Sequence, residues 1–438
     1  MRKLFGTDGI RGVANEELTA EIAFKLGNAL AQEFKDEVKE ILIGKDTRAS
    51  CDFLECALAS GIASGGVNAR LVGIITTPGL AMLTRLLNVP GVMISASHNP
   101  FQYNGLKVIN RGFKISDEKE MMLENLMENP VFSSSSFVGR VKTDSSLVEL
   151  YVKRVCDMYK DTDFSSVRIA VDTANGAAYR ITKMIYQQLG IKHDVFFDQP
   201  NGFNINEGCG STNPEGLKKI LENAQYDFGV LFDGDSDRCL MLSSRGTLVD
   251  GDKLMALNAV EMKKGGELEG NTVVATIMSN MGMEKYLNTH GISVERTKVG
   301  DRYVLHRMLE RGYTLGGEQS GHIIFLNRST TGDGIITSLE TMKNLLRARK
   351  TLDDLQNEIP TFPQKLLNIQ ARNKNEIVEN ERLKGVVRSY TQSNEVRIII
   401  RPSGTEPLVR IMVEAENESL VEEILQNVGD IVRKMAET

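Results

Sequence analysis

Short apolar runs that end in polar or glycine turns, each followed by a helix-like stretch, recur three times along the chain: Ile41-Leu42-Ile43, the run 167–171, and Val273-Val274-Ala275. Runs of this length, bounded by turn residues, predict buried strands that open βα units. The turns that follow are Gly44-Lys45-Asp46-Thr47-Arg48, Asp172-Thr173-Ala174-Asn175-Gly176 and Met278-Ser279-Asn280-Met281-Gly282, and they look like three versions of one structural unit. If each unit seeds its own parallel sheet, ligands are expected at the carboxyl ends of the strands, where these turns lie.

The last segment has a different rhythm. Residues 396–400 and 408–413 predict two strands, and Leu420, Val421, Ile424, Leu425, Val428, Ile431, Val432 and Met435 form one apolar helical stripe. Together they predict a small α+β domain. Proline and serine break both periodicities at 129–136 and again at 359–363, and a further break near 246 is inferred from spacing. A length of 438 residues suits about three domains, within a range of two to four. The expected organisation is 1–150, 151–246, 247–362 and 363–438.

Composition changes this picture little, but it removes some functions. Hydrophobic residues at 41% and charged residues at 25% supply a sizeable core. The net charge of -6, from 52 basic and 58 acidic side chains, offers no overall positive field for nucleic acid or an anionic membrane, so any anion site must be a local cluster. Five cysteines, at 51, 56, 156, 209 and 239, are odd in number and lack a CxxC pair, which argues against a disulfide framework or a thiolate zinc site and for a reducing compartment. No apolar stretch approaches the ~18 residues of a membrane span, and no apolar leader develops after Met1. A cytoplasmic protein is expected.

Five loops carry candidate chemistry. The apolar run 228–232 delivers Asp233-Gly234-Asp235-Ser236-Asp237-Arg238, three carboxylates at alternate positions around a glycine. Such a turn can converge its oxygens on a hard cation, and magnesium is favoured because it accepts few protein carboxylates and keeps positions for phosphate or water. A solvated acidic turn is the competing reading. An EF-hand is rejected, since Arg238 fills its invariant glycine position and Ser244 its bidentate glutamate position. Arg401-Pro402-Ser403-Gly404-Thr405-Glu406-Pro407, with Arg410 on the return strand, offers two guanidiniums, two hydroxyls and a glycine, a set suited to a phosphate dianion as well as to an ordinary turn. Ser95-Ala96-Ser97-His98-Asn99-Pro100 follows Val92-Met93-Ile94 and places a hydroxyl beside an imidazole, so Ser97 can be read as a covalent nucleophile or as a serine bonding its own turn. Gly317-Glu318-Gln319-Ser320-Gly321-His322 is a glycine-rich turn able to read hydroxyls. The opening Phe5-Gly6-Thr7-Asp8-Gly9-Ile10-Arg11-Gly12 is a further phosphate-approaching loop or a plain glycine-rich entry.

Taken together and in this order, these segments resemble the α-D-phosphohexomutase superfamily, and within it the bacterial phosphoglucosamine branch, over essentially the whole chain. The resemblance implies an α/β fold of four domains, three related mixed α/β sandwich domains and a smaller C-terminal α+β domain. It implies that Ser97 becomes phosphoserine and that its phosphate, with Asp233, Asp235 and Asp237, holds one Mg2+ per active site, while Arg238 steadies the phosphoryl group. Arg401, Ser403, Gly404, Thr405 and Arg410 would grip the non-reacting phosphate. Glu318 and Ser320 would bind sugar hydroxyls, and Arg11, Lys107 and His322 would stand near the reacting oxygens. Ser236 departs from the superfamily, where glycine is usual; Asp301 and Arg302 stand where hexose-specific relatives often carry a histidine, which fits the phosphoglucosamine branch, as does Gln319. The activity implied is interconversion of glucosamine 6-phosphate and glucosamine 1-phosphate through a bisphosphorylated sugar, with a hexose bisphosphate as activator. Small sugar phosphates are then the partners, with room for a homodimer. A phosphoglucomutase or phosphomannomutase is the alternative within the superfamily; a non-catalytic sugar-phosphate sensor and a simple phosphatase are the alternatives outside it.

Overall fold

The computed structural model describes residues 4–6, 8–134, 137–392, 395–403 and 406–437. It divides into two compact units, Met1–Met278 with His290–Asn357, and Ser279–Thr289 with Glu358–Thr438.

Three sheets of the first unit share one wiring. In the first, the strand Glu40–Lys45 lies between Asn68–Ile74 and Pro90–Ile94, parallel to both, and Tyr103–Asn110 returns antiparallel against Pro90–Ile94. In the second, Arg168–Asp172 lies between Lys192–Phe196 and Phe228–Phe232, and Cys239–Ser243 returns against Phe228–Phe232. In the third, Thr272–Thr276 lies between Ser293–Thr297 and Leu315–Gly317, with Ile323–Phe325 returning. Numbered within each repeat the order is 2-1-3-4 every time. The three apolar runs read from the sequence are the first strands of these repeats.

The sheets are mixed rather than purely parallel, and the difference decides where the chemistry sits. A parallel neighbour needs a long crossover, whereas an antiparallel one needs only a short turn. The fourth strand of each repeat therefore comes straight back from the third, and the turns are 95–102, 233–238 and 318–322. Three of the four candidate loops of this unit occupy that same position, the opening loop 5–12 being the exception. They lie at the carboxyl ends of third strands, not in the βα turns after the first strands. Those third strands are buried along their whole length, Pro90–Ile94, Phe228–Phe232 and Leu315–Gly317 alike, as sheets covered on both faces require.

The second unit carries an antiparallel sheet with Leu408–Ala415 between Gln364–Gln370 and Val396–Pro402. The helix Glu418–Ala436 packs against it, burying Val421, Ile424, Val428 and Val432, and Asn417 caps it by accepting from the Leu420 amide at 2.9 Å. The strand Gln364–Gln370 was not legible in the sequence, because its alternation of apolar and polar residues is interrupted by Leu366-Leu367. Among the described residues no helix is long and apolar enough to cross a membrane.

Candidate active site

Ser97 sits in the turn after Pro90–Ile94 with φ of +51°, in the left-handed region that a side chain resists. A dense set of bonds holds it there. Its amide donates to Ser95 Oγ at 3.0 Å, and Ser95 Oγ donates to Asp46 Oδ2 at 2.6 Å. Its carbonyl accepts from Arg48 Nη2 at 2.8 Å and from Asn206 Nδ2 at 2.9 Å. The fully buried Arg48 also reaches the carbonyls of Asn99 and Pro100 and pairs with Asp46 at 3.0 Å. The βα turn 44–48, which the sequence marked as a ligand turn, is thus the clamp beneath the serine.

So held, Ser97 Oγ donates to Asp233 Oδ2 at 2.5 Å and lies 3.3 Å from His98 Nδ1. Burial, and then the Arg238 charge, push the His98 imidazole down to about 4, so at neutral pH it is uncharged beside the hydroxyl.

Asp233, Asp235 and Asp237 are all buried, and one carboxylate oxygen from each can be chosen so that the three lie within 4.8 Å of one another. The protein engages each of them and leaves capacity over. Asp235 Oδ2 accepts from Thr77 Oγ1 at 2.5 Å and Lys107 Nζ at 2.7 Å, while its Oδ1 is buried without a partner. Asp237 Oδ2 stands 3.5 Å from His322 Nδ1, and its Oδ1 is again buried and unpartnered. Burial, then the charges of Asp237 and Asp235, raise the Asp233 carboxyl well above the usual range. Orphaned buried carboxylate oxygens that repel one another are the donor set a hard divalent cation relieves, and the residues present fit magnesium.

Gly234 and Ser236 shape the loop. A Cβ at Gly234 would stand 2.6 Å from the Ser97 carbonyl, so only glycine permits this approach of the metal loop to the serine turn. Ser236 has φ of +60°, and its buried hydroxyl has no partner. The departure from glycine noted in the sequence therefore carries strain. Ser236→Gly is expected to raise stability by about 1 kcal/mol, the relief of a left-handed side chain less the extra entropy of glycine, as read from thermal melting.

Lys107 and His322 complete the charge pattern. Burial works against both, but Asp235 and Asp8 keep the Lys107 ammonium charged, and Asp237 lifts His322 to about 9. Asp8, to which the sequence assigned no role of its own, pairs with Arg11 and, at 3.1 Å, with Lys107. Burial alone would raise its carboxyl, yet Lys107, Lys114 and Arg11 hold it well below the usual range. A cavity of about 220 Å³ opens among Asp8, Arg11, Ser97, Arg238, Glu318 and His322. Lys107 stands behind its wall, and Ser320, on the tip of its turn, does not line it. Glu318 Oε1 accepts from the Gly300 amide at 3.1 Å.

In the second unit Arg401 and Arg410 are direct cross-strand partners. Like charges placed opposite each other are unfavourable without an anion between them. Among the described residues the Arg401 guanidinium has no hydrogen-bond or ion-pair partner, Arg410 Nη2 donates to Glu406 at 2.8 Å, and burial followed by the Arg410 charge lowers the Arg401 pKa. Ser403 Oγ accepts from the Glu406 amide at 3.3 Å, and Lys374 Nζ, overlooked in the sequence, bonds the carbonyls of Ser403 and Glu406 at 2.5 and 2.8 Å. Gly404 and Thr405 lie outside the described residues, as does Thr7.

The sequence marked Ser97, Arg11, Arg238, Glu318, His322 and the three aspartates, and the structure gathers them in one cleft. It adds Asp8, Asp46, Arg48, Thr77 and Asn206, which support that cleft. Their only sequence signal was position: Asp46 and Arg48 in a strand-end turn, Asp8 in a glycine-rich loop.

Comparison with known proteins agrees with this architecture. Family models described as phosphoglucomutase/phosphomannomutase match in order along the chain, alpha/beta/alpha domain I at residues 2–133, domain II at 149–246, domain III at 250–362 and the C-terminal domain at 366–431. The phosphoglucosamine mutase of Thermosipho africanus is 46% identical over 432 residues, covering 99% of this chain and 98% of the relative. That of Thermotoga maritima is 45% identical over 430 residues, covering 98% and 99%. Among solved structures, a phosphoglucomutase/phosphomannomutase family protein of Burkholderia thailandensis superposes with a TM-score of 0.87 at 23% identity, over 99% of this chain and 97% of the other. The Aspergillus fumigatus N-acetylphosphoglucosamine mutase does so at 0.68 and 17%, over 99% and 96%; both likenesses concern the fold. With family models in sequence from end to end and relatives near 45% identity over almost every residue, the chain belongs to the phosphoglucomutase/phosphomannomutase family, the α-D-phosphohexomutases.

Proposed function

We propose that this protein is an intramolecular phosphotransferase that interconverts glucosamine 6-phosphate and glucosamine 1-phosphate, with Ser97 as the carrier of the phosphoryl group. The observation that carries the substrate is the identity of 44–46% to phosphoglucosamine mutases over nearly the full length of both chains. The contact of Ser97 with Asp233 supports the carrier role.

In the forward half-reaction a phosphoryl group on Ser97 passes to a free sugar hydroxyl. The P–Oγ bond breaks, a bond from phosphorus to the sugar oxygen forms, and the hydroxyl proton leaves to a neighbouring base. The bisphosphorylated sugar then turns, and its other phosphate returns a phosphoryl group to Ser97, leaving the isomer. Asp233, Asp235 and Asp237, with the Ser97 phosphate, would hold a magnesium ion, which would supply neutralisation of the charge on the transferring group. Arg238 and Arg11 would orient that group's oxygens, the charged His322 on the same cavity would neutralise or protonate the departing oxygen, and Lys107, paired with Asp235 and Asp8, would add positive charge to the site. The empty anion capacity between Arg401 and Arg410 supports a role in holding the phosphate that does not react. Glu318, with Ser320 beside it, would read sugar hydroxyls. We assign one magnesium per site and a hexose bisphosphate as the primer that first loads Ser97.

The test is a coupled assay for glucosamine 1-phosphate from glucosamine 6-phosphate, with magnesium and a bisphosphate primer, run beside glucose and mannose 6-phosphates. Highest kcat/KM is expected for the amino sugar. A clear preference for either neutral sugar would overturn the substrate while leaving the reaction class in place.

A further inference from the structure

The cavity that holds Ser97 has a second cavity behind it. This one is larger, about 520 Å³, and mostly apolar, with Phe113, Ile115, Leu305, Leu309 and Ile324 among its lining residues. Lys114, Asp301, Arg302 and Tyr303 line both spaces. Lys114 Nζ lies 2.6 Å from Asp301 Oδ2 and 2.5 Å from Asp8 Oδ1, so a single ammonium bridges two carboxylates across the partition.

That bridge also closes a circuit. Asp235 meets Lys107 at 2.7 Å, Lys107 meets Asp8 at 3.1 Å, Asp8 meets Lys114, Lys114 meets Asp301, Asp301 lies 3.8 Å from His322 Nε2, and His322 lies 3.5 Å from Asp237. Charges alternate at every step, and the ends are two residues of one loop. The circuit joins the first, second and third repeats, with Asp301 at the start of the helix Asp301–Arg311. Arg302, next along, pairs with Asp117 and lies 3.5 Å from Glu120, stitching that helix start to the helix Asp117–Glu128. Gly300, just before Asp301, is the residue whose amide Glu318 accepts.

We propose that the Lys114–Asp301 pair is the back wall of the active-site cavity, shutting it from the space behind and, through Asp8 and Gly300, positioning Arg11, Lys107 and Glu318. This rests on the phosphoserine reading above. A phosphoryl group on Ser97 is exposed to a competing reaction: a water oxygen bonds to phosphorus, the P–Oγ bond breaks, one water proton passes to Oγ, and inorganic phosphate leaves. Retaining the group for the sugar requires water to be kept out. An ion pair buttressed on both sides excludes water from that direction, and an apolar residue at one end leaves the other carboxylate facing a gap.

The test compares wild type with Lys114→Met, Asp301→Asn, the double variant and Lys114→Arg, measuring phosphate released against isomer formed. Each single loss is expected to raise that ratio about tenfold, the double variant no further, because both remove one wall. Lys114→Arg is expected to stay near wild type. A ratio unchanged in Lys114→Met, or multiplied in the double variant, overturns the proposal. Hydrogen exchange of residues 297–305 without substrate is read on the same proteins: faster exchange in Lys114→Met and in Asp301→Asn supports the positioning role, and exchange identical to wild type overturns it. Should wild type fail to isomerise glucosamine 6-phosphate, the functional reading falls, and the exchange comparison still decides the positioning role.

Discussion

Replacing Ser97 by alanine is expected to abolish isomerisation, lowering kcat by on the order of 10⁴-fold or more with little change in KM. No neighbour can take over the hydroxyl's part. Ser95 is buried and its Oγ is committed to Asp46, while Asp233 accepts from the Ser97 hydroxyl itself. The backbone at residue 97 stays left-handed in either case, held by Arg48 and Asn206, so alanine meets the same strain as serine and the fold is expected to survive. Mass spectrometry supplies the second reading, with phosphate on the wild-type protein after exposure to the bisphosphate primer and none on the variant. Full activity in Ser97→Ala would remove the central mechanistic claim.

Asp235→Asn is expected to weaken magnesium binding by on the order of 100-fold and to lower kcat with it, since one of three anionic donors is lost and the Lys107 partner with it. Stability should move the other way. Three carboxylates crowd one buried site, and burial together with their mutual repulsion raises the Asp233 carboxyl; neutralising one relieves that repulsion in the metal-free protein, while Lys107, losing one partner, keeps Asp8. Without magnesium the variant should therefore melt no lower than wild type. The rise in Tm on adding magnesium, which follows binding to the folded state alone, should shrink. An unchanged magnesium-dependent shift would place the cation elsewhere.

Much of the cleft was legible because the chemistry is local. Asp233, Asp235 and Asp237 alternate after an apolar strand, and alternation plus a glycine at 234 is enough to predict converging oxygens. Ser97 was open to two readings, because a serine in a turn bonds its own backbone as readily as it attacks a substrate. The structure adds Asp233, 136 positions away in the chain and 2.5 Å away in space, a contact that supports the first reading. Asp46 and Arg48 were marked as a ligand turn and proved to be the clamp under Ser97, an outcome that depends on which strand lies beside which.

Periodicity and turn chemistry settle elements, since a buried strand or an amphipathic helix is specified by residues within one or two turns of each other. The three apolar runs, the strand 228–232 and the final helical stripe were determined at that level. The antiparallel fourth strand of each repeat was not, because pairing direction is a choice between distant segments and leaves no period in the chain. That choice places the turns 95–102, 233–238 and 318–322 at equivalent strand ends. Only tertiary structure could set Asp8, Lys107, Lys114, Asp301 and His322 into an alternating circuit, because the attraction between charges depends on separation in space and on burial, and neither is written in spacing along the sequence.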